Sequence, residues 1–153
     1  MDGLTLAYLG VAIAVGLTGI GTALAVSTAV RAASGVLSEK PNEFGRLLIL
    51  VAITTTNGIY GFLVGVLILT QTPILGGADL IVTQADGIRL LMSSIPIGIV
   101  GCIAAIAQAR AAASAIYMTG KKPELSARGI VLVSLIETYP ILALLVSVLM
   151  IFV

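Results

Sequence analysis

Four apolar runs, each long enough to cross a bilayer, leave this chain few folds to choose from. They cover Thr5–Gly35, Arg46–Thr70, Leu90–Gly120 and Gly129–Val153, and a spanning helix needs about 20 mostly apolar residues. Hydrocarbon offers no water to free backbone groups, so such runs fold as helices. The fold class expected is an all-α membrane protein. Charged residues are only 10% of the chain against 59% hydrophobic. A soluble domain carries about 25% charged residues, so this chain is unable to cover a water-facing surface. The first and third runs exceed what hydrocarbon requires, and one end of each is expected to project into water.

The same residues exclude much chemistry. There is no His and no Trp, which removes histidine catalysis and tryptophan interface anchors. The single Cys102 sits in an apolar run, so neither a disulfide framework nor a cysteine metal site is expected. A net charge of +1 gives no footing for nucleic acid. No P-loop pattern occurs, so no nucleotide is expected on this chain. Asp2 stands in "MDGLTLAYLG" where a cleaved leader would be basic, which argues against a signal peptide.

Proline and charge mark the connections "SEKPNEFG", "QTPILGGADLIVTQADG" and "KKPELSARG" as loops. They divide the chain into a first helical hairpin, 1–71, a connecting loop, 72–89, and a second hairpin, 90–153. Lys40, Arg46, Lys121, Lys122 and Arg128 lie in the first and third loops, and Arg31 and Arg110 on the helices entering them. Only Arg89 stands on the other side, with Asp2, Asp79 and Asp86. The positive-inside rule then places the two short basic loops in the cytoplasm and both termini and the middle loop outside a cell membrane.

A displacement of 82 residues lays the chain on itself: Pro41 on Pro123, Arg46 on Arg128, Gly16 on Gly98, Gly19 on Gly101, Ala23 on Ala105. The fold is thus a duplicated hairpin. Ala12, Gly16, Gly19 and Ala23 recur along the first helix, a small-residue spacing that lets membrane helices approach closely. Two readings stay open: packing inside one four-helix bundle, or a crowded inner circle of helices from many identical subunits.

Glu137 falls on Thr55 in this overlay, so one copy keeps a carboxylate that the other lacks. A charge at the centre of a spanning helix costs about 2.5–3.5 kcal/mol, which makes Glu137 the leading functional residue. Counted from the loop prolines, Glu137, Gln108, Thr56 and Asn57 reach one depth, about 20 Å from the loops. Ile53, Thr56, Asn57 and Tyr60 share one helix stripe. Hard cations favour oxygen ligands. The candidate ion ligands are therefore the Glu137 carboxylate, the Gln108 and Asn57 amides, the Thr56 hydroxyl and the Ile53 carbonyl, with Tyr60 donating a hydrogen bond to Glu137. Structural rivals are a Thr56 hydroxyl bonded to its own helix, Gln108 as interhelical glue, and a Glu137–Arg110 ion pair. Arg110 lies two positions from Gln108 and so on another face.

With "GFLVG", "AQARAAASAI" and "LIETYPIL" in the second, third and fourth spans, the chain resembles the proteolipid (K or c) subunit of V/A-type rotary ATPases. Its "ETY" element and "KKPE" loop are similar to the sodium-pumping bacterial branch. The resemblance implies a ring of about ten identical subunits in membrane lipid, turning against a stator subunit that carries an arginine and joined to a central stalk. ATP hydrolysis would belong to other subunits, and this chain would be a non-catalytic rotor. It also implies Na⁺ at Glu137, Gln108, Thr56 and the Ile53 backbone, beside Tyr60. Asn57 departs from the family's glutamine; the shorter amide misses the ion, reaches it through water, or draws the second helix closer. The alternatives are a ring that carries H⁺, a small multidrug or cation antiporter, and a structural or gap-junction-like proteolipid.

Overall fold

The computed structural model describes residues 1–77 and 79–153; position 78, within the expected connecting loop, lies outside the described residues. Among the described residues seven α-helices follow one another: α1 Gly3–Glu39, α2 Phe44–Ile53, α3 Thr56–Thr70, α4 Pro73–Gly76, α5 Gln84–Lys121, α6 Ser126–Ser134 and α7 Thr138–Phe152. No strand occurs among the described residues. Four helical rods in this set are long and apolar enough to span: α1, α2 with α3, α5, and α6 with α7. They form two antiparallel hairpins in a multi-pass membrane protein. One end carries the short connections after α1 and α5 (the loop end), the other both termini (the terminal end).

α1 and α5 are longer than the sequence runs, at 37 and 38 residues, or about 56 Å each. α5 starts at Gln84, inside the expected 72–89 loop, because Thr83 and Asp86 form a capping box that satisfies its first free N–H groups. At its other end the Lys40 ammonium donates to the Gly120 carbonyl at 2.6 Å, fastening the first loop to α5. Arg89 fastens the terminal end by donating to the Ile151 carbonyl at 2.9 Å, an acceptor that the end of α7 leaves without a helical partner.

α1 and α5 run parallel and in close contact, through a stripe of α1 that includes Gly3, Ala7, Gly10, Ala14, Thr18 and Gly21, all buried. At Gly21 the backbones come so near that a Cβ would lie 2.7 Å from the Cys102 Cα. The stripe singled out from sequence is a different one. Ala12, Gly16, Gly19 and Ala23 are exposed, and nothing lies within 4 Å of a Cβ built on Gly16 or Gly19. Their counterparts on α5 are buried: Gly98 faces Ile13 and Leu17, and Gly101 faces Thr18. Packing inside one bundle therefore does not account for Gly16 and Gly19.

Apolar content alone predicts unbroken second and fourth helices, and both are interrupted. Thr54 and Thr55 separate α2 from α3, and a 3₁₀ turn, Leu135–Glu137, separates α6 from α7. The interruptions correspond under the 82-residue displacement, but their causes differ. In the first, Thr54, Thr55 and Thr56 turn their hydroxyls back to the carbonyls of Val51, Ala52 and Ile53 at 2.7, 2.7 and 3.0 Å, a competition that loosens the helical ladder. In the second, Pro140 has no N–H to offer the Ile136 carbonyl and crowds it.

Candidate functional site

Both interruptions face Gln108 on α5. Gln108 and Asn57 are fully buried. The Asn57 amide nitrogen donates to the Gln108 carbonyl oxygen at 2.9 Å, and the Gln108 amide nitrogen donates to Glu137 Oε2. Three rods thereby meet in one polar chain, at the common depth that counting from the prolines predicts. Apolar clusters sandwich it: Leu47, Leu50, Ile116 and Val133 towards the loop end, Val64, Ile68, Ile97 and Ile151 towards the terminal end.

The chain of hydrogen bonds is incomplete in an informative way. Glu137 Oε1 and Asn57 Oδ1 are both buried and accept from no donor among the described residues. A buried acceptor without a partner costs about 1–3 kcal/mol, more for a charged group. Two such oxygens, one of them the carboxylate's own, offer a place where a cation or a proton recovers that cost. No cluster of three or more acidic, His or Cys side chains exists among the described residues, so a guest here would be held by one charge and neutral oxygens.

The remaining candidates are placed as follows. Thr56 and Ile53 are half-buried at the first interruption, the Thr56 hydroxyl donating to the Ile53 carbonyl. Tyr60, also half-buried, turns its hydroxyl towards Glu137. Arg110 is exposed and makes no ion pair with Glu137 among the described residues. Thr55, the counterpart of Glu137, is exposed and bonded to its own helix. Sequence reasoning missed Thr22 of α1. Its hydroxyl has no partner among the described residues and faces Gly58, the neighbour of Asn57, where a Cβ would lie 3.1 Å away. It also missed the helix breaks, for which Pro140 three residues after Glu137 and the run Thr54–Thr56 were the available signals.

A test of the break follows. Pro140→Ala gives the Ile136 carbonyl back its donor and should lengthen the helix through Glu137, raising thermal stability while turning the carboxylate off Gln108. Pro140 stands in the first turn of α7, where proline is tolerated, so a small gain in Tm with loss of carboxylate function is the expected pair of results. Unchanged function would show that the 3₁₀ turn does not aim Glu137.

Comparison with known proteins agrees with this duplicated architecture. The family described as the C subunit of ATP synthase matches twice, over residues 9–68 and 91–150. A V-type sodium ATPase subunit K of Enterococcus hirae is 36% identical over 149 residues, spanning 97% of this chain and 92% of the relative. An A-type ATP synthase subunit K of Methanocaldococcus jannaschii is 28% identical over 150 residues; this chain spans 63% of its length. The chain belongs to the ATP synthase C-subunit family, in the duplicated four-helix form of the V/A-type proteolipid rotor subunits.

Proposed function

We propose that this chain is a rotor-ring subunit of a V-type ATPase that carries Na⁺ at Glu137 through the cell membrane, with ATP hydrolysis on other subunits. The observation that carries the reading is the pair of unpartnered buried oxygens, Glu137 Oε1 and Asn57 Oδ1. The relative named as a sodium ATPase subunit supports it.

The duplicated contact supports a ring. α5 presents Gly98 and Gly101 to α1 of its own chain, while the equivalent face of α1, Gly16 and Gly19, is open. The same relation, repeated, seats α1 against α5 of a neighbouring copy. A contact between two different faces propagates and closes when the rotation allows.

Transport then follows from charge. A stator arginine competes for Glu137 and displaces its ion. Elsewhere on the circuit the loaded site is neutral and passes lipid, where a bare carboxylate is costly. Loading Na⁺ requires the Gln108 amide to turn over, presenting its oxygen where its nitrogen now donates. With one carboxylate per four helices, each turn moves few ions. Each ion moved against 100 mV costs about 2.3 kcal/mol, which suits pumping against a steep gradient. The basic loops face the cytoplasm in this reading, by the positive-inside rule.

One observation favours a proton as the cargo: Gln108 points its nitrogen, not its oxygen, at the carboxylate. ATP-driven uptake of radioactive sodium by the complete ATPase in liposomes, with a protonophore present, separates the two. Sustained uptake is expected; uptake abolished by the protonophore would establish the proton. Asn57→Ala removes the donor that holds Gln108. It should weaken ion binding about three- to tenfold, since a buried neutral hydrogen bond is worth about 0.5–1.5 kcal/mol. Equilibrium sodium binding to the purified ring reads this out.

A further inference from the structure

Two threonines of α1, Thr18 and Thr28, spend their hydroxyls on their own helix, donating to the carbonyls of Ala14 and Leu24 at 2.7 and 2.9 Å. This back-bonding is the ordinary behaviour of threonine inside a helix. Thr22, between them, departs from it. Its hydroxyl oxygen is buried and has no partner among the described residues.

The register of α1 against α3 shows what Thr22 faces. The two helices run antiparallel, and a side chain on Gly61 would run into the Thr18 hydroxyl and the Ala14 carbonyl. One turn towards the loop end on both helices replaces Gly61 by Asn57 and Thr18 by Thr22. Gly58, next to Asn57, agrees with that placement, since a Cβ there would lie 3.1 Å from the Thr22 hydroxyl oxygen. Thr22 therefore stands at the Asn57 end of the Asn57–Gln108–Glu137 chain. Asn57 Oδ1, at that same end, is also buried and unpaired.

We infer that Thr22 is a positioning residue for ion loading, its hydroxyl pairing with the Asn57 amide and changing role when that amide turns; the inference rests on the sodium reading above. In the structure the chain runs one way, from the Asn57 nitrogen to the Gln108 oxygen and from the Gln108 nitrogen to Glu137. Loading turns Gln108 over and brings its nitrogen against that of Asn57, and two amide nitrogens are both donors. Asn57 then turns as well, giving its oxygen to Gln108 with a second lone pair left for the cation. Its nitrogen now points at α1. A buried N–H without an acceptor would offset part of what the ion gains, and the Thr22 oxygen supplies that acceptor. With the chain unturned, the same hydroxyl donates to Asn57 Oδ1. A group that serves both directions must donate and accept, as a hydroxyl does. Rotation of Thr22 about its Cα–Cβ bond breaks no existing hydrogen bond.

Equilibrium sodium binding to the purified ring tests the role. Thr22→Val keeps the shape and removes the hydroxyl. It should weaken sodium binding about three- to tenfold, the equivalent of one buried neutral hydrogen bond, with Tm unchanged or raised because an unpaired buried hydroxyl has gone. Thr22→Ser should keep the native affinity. Thr18→Val should keep it too, since that hydroxyl is spent on its own helix. In an Asn57→Ala ring, Thr22→Val should cost nothing further, because members of one hydrogen-bond network do not add. Native affinity in Thr22→Val would overturn the role of Thr22 and leave the sodium reading standing. So would an equal loss in Thr22→Ser or Thr18→Val, or full additivity with Asn57→Ala. A native ring that binds no sodium would instead end the sodium reading, and this inference with it.

Discussion

Replacing Glu137 with glutamine should abolish the proposed sodium transport while leaving the fold intact. Glutamine has nearly the same shape, and its oxygen still accepts from Gln108, which now donates to Glu137 Oε2. What disappears is the charge. A unit charge about 4 Å from a cation is worth about 4 kcal/mol at an effective dielectric of about 20, or roughly a thousandfold in affinity. Sodium uptake by the reconstituted ATPase should fall below detection, with thermal stability of the ring equal to or above that of the native protein, since a buried charge has been removed. Glu137→Asp keeps the charge but withdraws it by one methylene from Gln108, so partial activity at raised sodium is expected. Retained transport in Glu137→Gln would return the chain to the structural-proteolipid reading.

Gly19→Leu should have the second large effect, on assembly rather than folding. A side chain at Gly16 or Gly19 meets nothing within 4 Å inside the chain, so the monomer should keep its helicity and its Asn57–Gln108–Glu137 chain. A leucine on the face proposed to receive the neighbouring α5 would hold the two backbones apart, and small-residue contacts depend on close backbone approach. Size-exclusion chromatography with light scattering should show the ring lost, leaving monomers and short oligomers. Gly21→Leu is the contrasting case. Its Cβ would lie 2.7 Å from the Cys102 backbone, so the chain itself should be destabilised. A Gly19→Leu protein that still forms rings would remove Gly19 from the interface. A stable dimer of the native protein would point instead to the antiporter.

Much of this architecture was legible because its signals are repeated. The proline, glycine and arginine matches at 82 residues expose the duplication, and counting from Pro41 and Pro123 brings Asn57, Gln108 and Glu137 to the level where they meet. Depth along a helix follows from a fixed rise per residue, so it survives without coordinates. Rotation about the helix does not. The chain carries two interleaved small-residue stripes on α1, and periodicity alone does not say which one the same chain covers. The breaks beside Thr55 and Glu137 were hidden for a related reason. Threonine back-bonding and a proline in the first turn of a new helix each look like ordinary apolar helix when hydrophobicity is the only guide. Which way an amide turns was likewise beyond the sequence. Gln108 was expected to offer an oxygen, and in the structure it offers its nitrogen to Glu137.

That amide makes the central claim testable at a single residue. Carbodiimide attacks a protonated or accessible carboxyl, so labelling of Glu137 in the purified ring, followed at fixed pH while sodium is raised, reports directly whether an ion occupies the site. The account predicts that millimolar sodium suppresses labelling at Glu137, with potassium far less effective. Labelling that ignores sodium and falls only as the pH rises would contradict it, and Glu137 would then be a proton carrier.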